Sequence, residues 1–597
     1  MQLQSAAVPA RMYTAGGDMG NFRSHRDLGD RPEVQGNETT GITATDVIVV
    51  GTGSAALSAA VMAARGGADV VMLEVADKIG GTSWRSSGGY WIPNNRNQRE
   101  RGVSMDRDAT LKHMAVLGYP DRFDENAPLL GLTQREYDLI AEFFDIAPKV
   151  IDEYEAEGIL KSTQMDYPGR DDGMPHYYNS GYDATNGTVL GARVEEFAES
   201  VASNPSAEAM RQLGGRQGDG ADMVGQLAAA AERLGVQIVL ETRVTGVIQD
   251  ADGAAIGVTA STPDGPVRIG ARQGVVFGTG GFSHNPVHAK AYLRGPIVGS
   301  CSVGTAQGDF IDIALEAGAE LGNMREAWWT ELPVELAKTM SETPELMGFI
   351  PGASSIIVNA SGERVVNEKS MYNERGKAHF VADENGELPN KYLFLVYDDA
   401  VAGDELVWPS RWPIPPAGVR EDYVIVGDTL EELAANIEAR LTKLGAEVEN
   451  FELRSDFLDG LKATLALYAE FAQGGVDRDF GRGNDSNQWY SEPLRPGAKN
   501  NCLAAFREEG PYYAMVLGAA TLDTKGGPVT DTSGRVLRPS GEPIPGLYGA
   551  GNCIASPAGE AYWGGGSTLG PALVLGYMAG KNVAQEPRRT AAAQAAA

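Results

Sequence analysis

DVIVVGTGSAALSAAVMAARGGADVVMLEVADKIGG, residues 46–81, reads as strand, glycine-rich turn, helix, second strand and acidic end. Residues 47–50 are a β-branched run suited to a buried parallel strand. Gly51 and Gly53 permit a tight turn and a close backbone approach to a pyrophosphate, and Ala56 takes the third small position, where helix and strand must pack closely. The predicted helix, 55–65, begins at Ser54-Ala55 and offers its N-terminal N–H groups to phosphate. Residues 70–73 form the second strand, and Glu74 follows it where a ribose hydroxyl needs an acceptor, about 20 residues past the glycines. A Gly-x-Gly turn alone is weak evidence; here strand, helix, second strand and acid are all in register.

Gly80, Gly81 and Thr82 come directly after this unit, followed by RSSGGYWIPNN at 85–95, which contains Ser86, Ser87, Gly88 and Gly89. A second set of small residues and hydroxyls lets the chain run along a ligand longer than the first half of NAD. VVFGTGGF at 275–282 is a strand ending in a turn with Thr279 and Gly280, and PIPGLYGAGN at 543–552 is another, ending at Gly551 and Asn552. These segments, in this order, resemble the FAD-dependent fumarate reductase and ketosteroid dehydrogenase superfamily. The resemblance implies an α/β fold with a glutathione-reductase-like, Rossmann-type FAD-binding domain and an inserted α+β catalytic domain. It implies FAD as cofactor, with Val244, in the strand pair around 242–247, also in its site.

Composition sets the bounds. A chain of 597 residues should hold more than one domain, and 43% hydrophobic with 22% charged residues is ordinary for a globular protein. The net charge of −30 argues against nucleic acid and anionic membrane surfaces as partners. Three cysteines, Cys301, Cys502 and Cys553, lie far apart, with neither a disulfide framework nor metal spacing, so a reducing cytoplasm is the simpler expectation. The histidines are scattered without a ligand pattern, and no metal is expected. No apolar run of membrane-spanning length occurs and no secretory signal is read at the N-terminus.

Along the chain, 1–45 is polar, Gly-rich and aperiodic, an extension draped over the body or toward a partner subunit, so a homo-oligomer stays open. The first part of the FAD domain is placed at 46–298, the catalytic domain at 299–523, the second part of the FAD domain at 524–584, and a mobile tail at 585–597. Helical periodicity dominates 104–158, whereas 166–191 is loop-like and rich in aromatics and Gly. The insertion carries most of the tryptophans and many tyrosines in what reads as irregular loops, where substrate contacts commonly sit. No second strand–turn–helix unit of equal strength appears, so a built-in nicotinamide domain is not expected.

The constellation that carries chemistry is EAYWGGGSTLGPALVLGYMAG, 560–580. Its glycines allow close backbone approach, and Pro571 falls in the first turn of a helix whose N-terminus, with Ser567, Thr568 and Leu569, suits negative charge on a reduced ring. The segment is similar to that of the 3-ketosteroid Δ1-dehydrogenases, in which a Tyr and a Gly four residues later bind the substrate ketone; the matching residues are Tyr562 and Gly566. DTKGGPVTD at 523–531, DFGRGND at 479–485 and ERVVNEKSMY at 363–372 also resemble that family, while 104–220 matches poorly.

The resemblance implies desaturation of a C–C bond beside a ketone, most simply 1,2-dehydrogenation of a 3-ketosteroid or similar polycyclic ketone. Tyr562 and Gly566 would polarise the carbonyl. Tyr372 would remove the adjacent proton, and the hydride would pass to flavin N5. A further Tyr expected near the base is Tyr167, with Tyr178 as competitor. Electrons would leave to an external acceptor such as a quinone. The bland alternative is a packed aromatic with a bonded hydroxyl, which fits Tyr167 better than Tyr562. Where the family tends to have Pro and small residues after the Tyr, this chain has Trp563, expected to narrow the pocket mouth.

Three rivals are weighed. A fumarate-reductase-like enoate reductase needs Arg and His to clamp carboxylates, yet no His follows His379 and no Arg lies between Arg538 and Arg588. A 4-dehydrogenase of saturated 3-ketosteroids, or a dehydrogenase of another cyclic ketone, would share the fold. A non-catalytic flavin-binding protein would hold FAD that no ketone bleaches.

Overall fold

The computed structural model describes residues 43–165, 173, 180–182, 185–194, 218–339, 347–348, 350–403, 412–415, 418–484, 488 and 495–589. The expectations for 1–42, Tyr167, Tyr178 and 590–597 lie outside these residues.

The strand Ala44–Val50 is apolar and buried along Val47–Val50, as a central parallel strand must be. It pairs in parallel with Val70–Leu73 on one side and with Gly265–Phe277 on the other. The sheet continues outward through Gln237–Val239 at one edge and through Pro543–Gly549 and Arg535–Leu537 at the other. An antiparallel pair, Arg243–Gln249 and Ala255–Thr262, folds onto Gly265–Phe277. Two chain segments about 270 residues apart, 265–277 and 543–549, are thus neighbours in one sheet. The helix Ser54–Arg65, Ala-rich and buried over ten of its residues, packs with the terminal helix Leu569–Val583 over this sheet.

The insertion is built on a second sheet of six strands. Tyr512–Thr524 is its spine, pairing antiparallel with Ala327–Pro333, Tyr392–Asp398 and Ile425–Gly427, and in parallel with Gly299–Ser300. Ser355–Val358 closes the far edge. Helices Leu430–Leu444 and Phe457–Gly474 cover one face, giving a core separate from that of the first sheet. The expectation of irregular loops is corrected here. Tyr392–Asp398 is buried at every position, so it shows no apolar–polar alternation by which a strand is read.

A buried charge cluster pins this insertion. Arg364 reaches Glu368 (2.8 Å) and Asp477 (3.0 Å), and Arg482 reaches Glu368 (3.0 Å), all at 4% side-chain exposure or less. Burial alone would raise the Glu368 carboxyl, but the two guanidinium groups outweigh it and hold the group at about 2.

Residues 585–589, expected as the start of a mobile tail, are fastened to the body. Arg588 bonds Asp46 at the base of the first strand (2.6 Å), Tyr548 donates to Glu586 (2.9 Å) and Arg589 donates to the Gln273 carbonyl (3.1 Å). No helix among the described residues is long and apolar enough to cross a membrane, and no group of three or more potential metal ligands occurs among them.

Candidate active site

One cavity of about 400 Å³ runs between the two sheets. Its first end is the strand–turn–helix unit. Gly51 has φ +96°, and a Cβ there would lie 2.6 Å from the Gly278 carbonyl oxygen, so only glycine fits the turn. Gly53, Ser54 and Ala55 line the cavity, while Ala56 packs behind them on the Gly278 backbone. Gly53 supplies no side-chain cap to the helix Ser54–Arg65; the Ser54 N–H donates to Ser83 Oγ (3.0 Å), and the helix dipole favours an anion in the cavity. Glu74 also lines this end; it accepts from Thr52 Oγ1 (2.5 Å) and the Ala76 N–H (2.9 Å), and Thr52 in turn accepts from the Gly80 N–H (2.9 Å).

Gly81, Thr82, Ser86, Ser87, Gly89, Val244, Thr279 and Gly280 line the middle. Gly80 and Gly88 do not; they sit behind the wall against Trp84 and the Asp219 backbone. Asp523 organises this stretch. Fully buried, it accepts from the Gly281 N–H (2.9 Å), Asn552 Nδ2 (3.1 Å), Ser283 Oγ (3.2 Å) and the Thr524 N–H (2.9 Å). Gly551, Asn552, Thr568 and Leu569 also line the cavity. The helix Leu569–Val583 likewise has no side-chain cap at its start. Ser567 turns inward to the Gly564 carbonyl (2.8 Å) and does not reach the cavity.

The donor set suits FAD. Two helix N-termini face one cavity, and their dipoles favour negative charge there, one at the pyrophosphate end and one beside a ring that gains charge, with a carboxylate at the ribose end.

At the far end Tyr372 and Tyr562 meet. Tyr372 opens the helix Tyr372–Ala378 in the insertion, and Tyr562 lies on the loop before the terminal helix; both are buried and both line the cavity. Their rings are 5.0 Å apart at 67°. Tyr562 Oη accepts from the Gly566 N–H at 3.3 Å, which leaves the phenol's own proton free to donate. Burial raises the Tyr562 phenol, and the hydrogen bonds from Tyr372 and the Gly566 N–H pull it back only in part, so it is protonated at neutral pH. Gly566 has φ +82°, and a Cβ there would lie 2.6 Å from Tyr90 Cα. A carbonyl oxygen can take both donors only by replacing Tyr562 Oη as the acceptor of the Gly566 N–H.

Trp328 backs this site, and Met371, Trp412 and Cys301 also line the cavity. Trp328 stands edge-on to Tyr562 at 5.7 Å and donates from Nε1 to Asn552 Oδ1 (2.9 Å), so it bridges the two ends. Neither role stands out in the sequence, because Trp328 meets Tyr562 and Asn552, and Asp523 meets Gly281 and Asn552, all more than 25 positions away. Trp329, its neighbour, points the other way into a core with Phe380.

Trp563 does not shape the mouth, contrary to expectation. It is fully buried between Trp91 and Phe143 and donates to the Met114 carbonyl (3.2 Å). Adjacent residues on a turn face opposite ways, so its nearness to Tyr562 in sequence carries no information on the pocket. His113 holds the Trp563 carbonyl at 3.0 Å and belongs to the same core.

Comparison with known proteins places this geometry. The FAD binding domain family matches residues 46–569. The chain is 31% identical to 4-oxocyclohexanecarboxylate 2-dehydrogenase of Sinomonas cyclohexanicum, over 90% of this chain and 92% of that protein. It is 30% identical to 3-oxosteroid 1-dehydrogenase of Mycobacterium tuberculosis H37Rv, over 91% and 98%. The structure is similar to 3-ketosteroid Δ1-dehydrogenase of Sterolibacterium denitrificans, solved in complex with 1,4-androstadiene-3,17-dione, with TM-score 0.73 and 26% identity over 91% of this chain and 100% of that one.

Proposed function

The chain belongs to the FAD binding domain family and is a 3-ketosteroid Δ1-dehydrogenase-like flavoprotein, and from that premise we propose that it desaturates the C1–C2 bond of a 3-ketosteroid or a similar cyclic ketone. The cofactor is FAD, and the protein is an FAD-dependent dehydrogenase acting on cyclic ketones. The observation that carries the finer reading is the pairing of Tyr562 Oη with the Gly566 N–H beside Tyr372 in one buried cavity.

In this reading the ketone oxygen takes hydrogen bonds from the Tyr562 hydroxyl and the Gly566 N–H, which stabilise the enolate charge that develops as the adjacent C–H breaks. Tyr372, acting as the tyrosinate, takes that proton and becomes the neutral phenol. A free phenol has a pKa of about 10, so the base works only in concert with the oxyanion donors. Bound FAD supplies the acceptor for the hydride that leaves the neighbouring carbon. Trp328, Met371 and Trp412 give the ring system an apolar, water-excluding wall. The first relative's substrate name favours a second reading, a monocyclic 4-oxo acid. Arg85 and Arg243 line the same cavity, but Arg243 is already paired with Asp309 at 2.7 Å. The steroid reading therefore comes first.

The test is product analysis. The purified holoprotein is incubated with 4-androstene-3,17-dione, or with 4-oxocyclohexanecarboxylate, and an artificial electron acceptor. Formation of 1,4-androstadiene-3,17-dione supports the steroid reading. Turnover of the oxo acid alone moves the assignment to the monocyclic ketone, and turnover of neither removes both.

A further inference from the structure

Lys525 is fully buried directly after the spine strand of the second sheet, outside the cavity lining. Its Nζ donates to the Ala561 carbonyl at 2.9 Å, one residue before Tyr562. The same Nζ lies 4.3 Å from the centre of the Trp328 ring, whose edge meets Tyr562. One ammonium thus touches both supports of the phenol, the loop that carries it and the ring that backs it.

We propose that Lys525 is a positioning residue for Tyr562, and that its protonated form, through the Ala561 carbonyl and the Trp328 face, holds the phenol where a ketone oxygen needs it. The proposal rests on the reading of Tyr562 as the carbonyl-binding residue. Charge matters here because an ammonium over an indole face is attracted to it and a neutral amine is not. The groups that face Lys525 are Glu326 before the strand Ala327–Pro333, Glu374 and Lys377 on the helix Tyr372–Ala378, and Glu560 on the Tyr562 loop. Arg294 binds both Glu326 (2.6 Å) and Glu560 (2.7 Å), and Lys377 binds Glu374 (2.8 Å), so these carboxylates are already neutralised in part. Burial therefore dominates and pulls the amine down to about 7, so its charge changes across the neutral range.

The experiment compares flavin-loaded wild type with Lys525→Met and Lys525→Gln. The first readout is a tryptophan absorbance titration, referenced to Trp328→Phe. The second is kcat and KM with 4-androstene-3,17-dione, between about pH 6 and 9. The expected result is a wild-type spectral transition near neutral pH that Lys525→Met abolishes. That variant keeps its flavin, loses about tenfold or more in kcat with KM within about threefold, and loses the near-neutral inflection of kcat. Wild-type kcat and pH profile in Lys525→Met would overturn the proposal. So would loss of flavin and thermal stability in both variants, which would leave Lys525 a role in folding alone. If wild type turns over no ketone, the functional reading fails by itself. The titration still decides the contact with Trp328, and absence of the transition overturns it.

Discussion

At Tyr562, burial and hydrogen bonding pull the phenol in opposite directions, and burial wins. The result is a protonated donor, which suits a carbonyl-binding group and does not suit a base. Tyr562→Phe keeps the ring packing against Trp328 and Tyr372 and removes only the hydroxyl. It should retain flavin and lower kcat by about 10²–10³-fold, the effect of losing one oxyanion donor, as checked by steady-state kinetics on flavin-loaded protein. Gly566→Ala should do worse, since φ +82° and the approach to Tyr90 Cα leave no room for a methyl group. Turnover should vanish, and thermal unfolding should report a loss of roughly 1–3 kcal/mol. Tyr562, Gly566 and Tyr372 were legible in sequence through short motifs that resemble a known family. The direction of Trp563 was not, because a turn of several glycines does not fix which way each side chain points.

The insertion carries a buried charge cluster beside its apolar cores. Glu368 sits between Arg364 and Arg482 with side-chain exposure of 0%, and its carboxyl is held at about 2 against an ordinary 4.5. A depressed carboxyl adds stability that is fully present above pH 4.5 and lost as the pH falls toward 2. Denaturant unfolding in a pH series should therefore show a flat midpoint above that window and a decline within it. In Glu368→Gln the decline should be shallower, and the whole curve should lie lower by about 3–5 kcal/mol, since Arg482 loses its buried carboxylate and Arg364 keeps only Asp477. None of this was legible along the chain: Glu368 and Asp477 are 109 residues apart, and only the fold brings them to one arginine. The second sheet was missed for a related reason, since strands buried on both faces lose the alternation that marks them.

On the scale of the molecule, two sheets with separate cores share one cavity, and the chain leaves the first sheet after Phe277, enters the second at Gly299, and returns between Thr524 and Arg535. The dinucleotide-binding unit was legible because its glycines, helix and acid lie within 36 contiguous residues and each has one physical task. The proposed ketone end was legible only in fragments, because its parts come from 328, 372 and 562. A cavity walled by both cores makes stability depend on its occupant. Removal of FAD should lower stability by about 4 kcal/mol where the cofactor stands at a thousandfold over its dissociation constant, read as a lower midpoint in thermal scans of apo than of reconstituted protein. The central claim is that a ketone bound at Tyr562 and Gly566 delivers its electrons to FAD in the same cavity. The most direct measurement is anaerobic mixing of the yellow holoprotein with 4-androstene-3,17-dione, followed at the flavin absorbance band. The account predicts rapid bleaching with appearance of the 1,4-diene. Flavin that stays oxidised with this steroid and with 4-oxocyclohexanecarboxylate would contradict it.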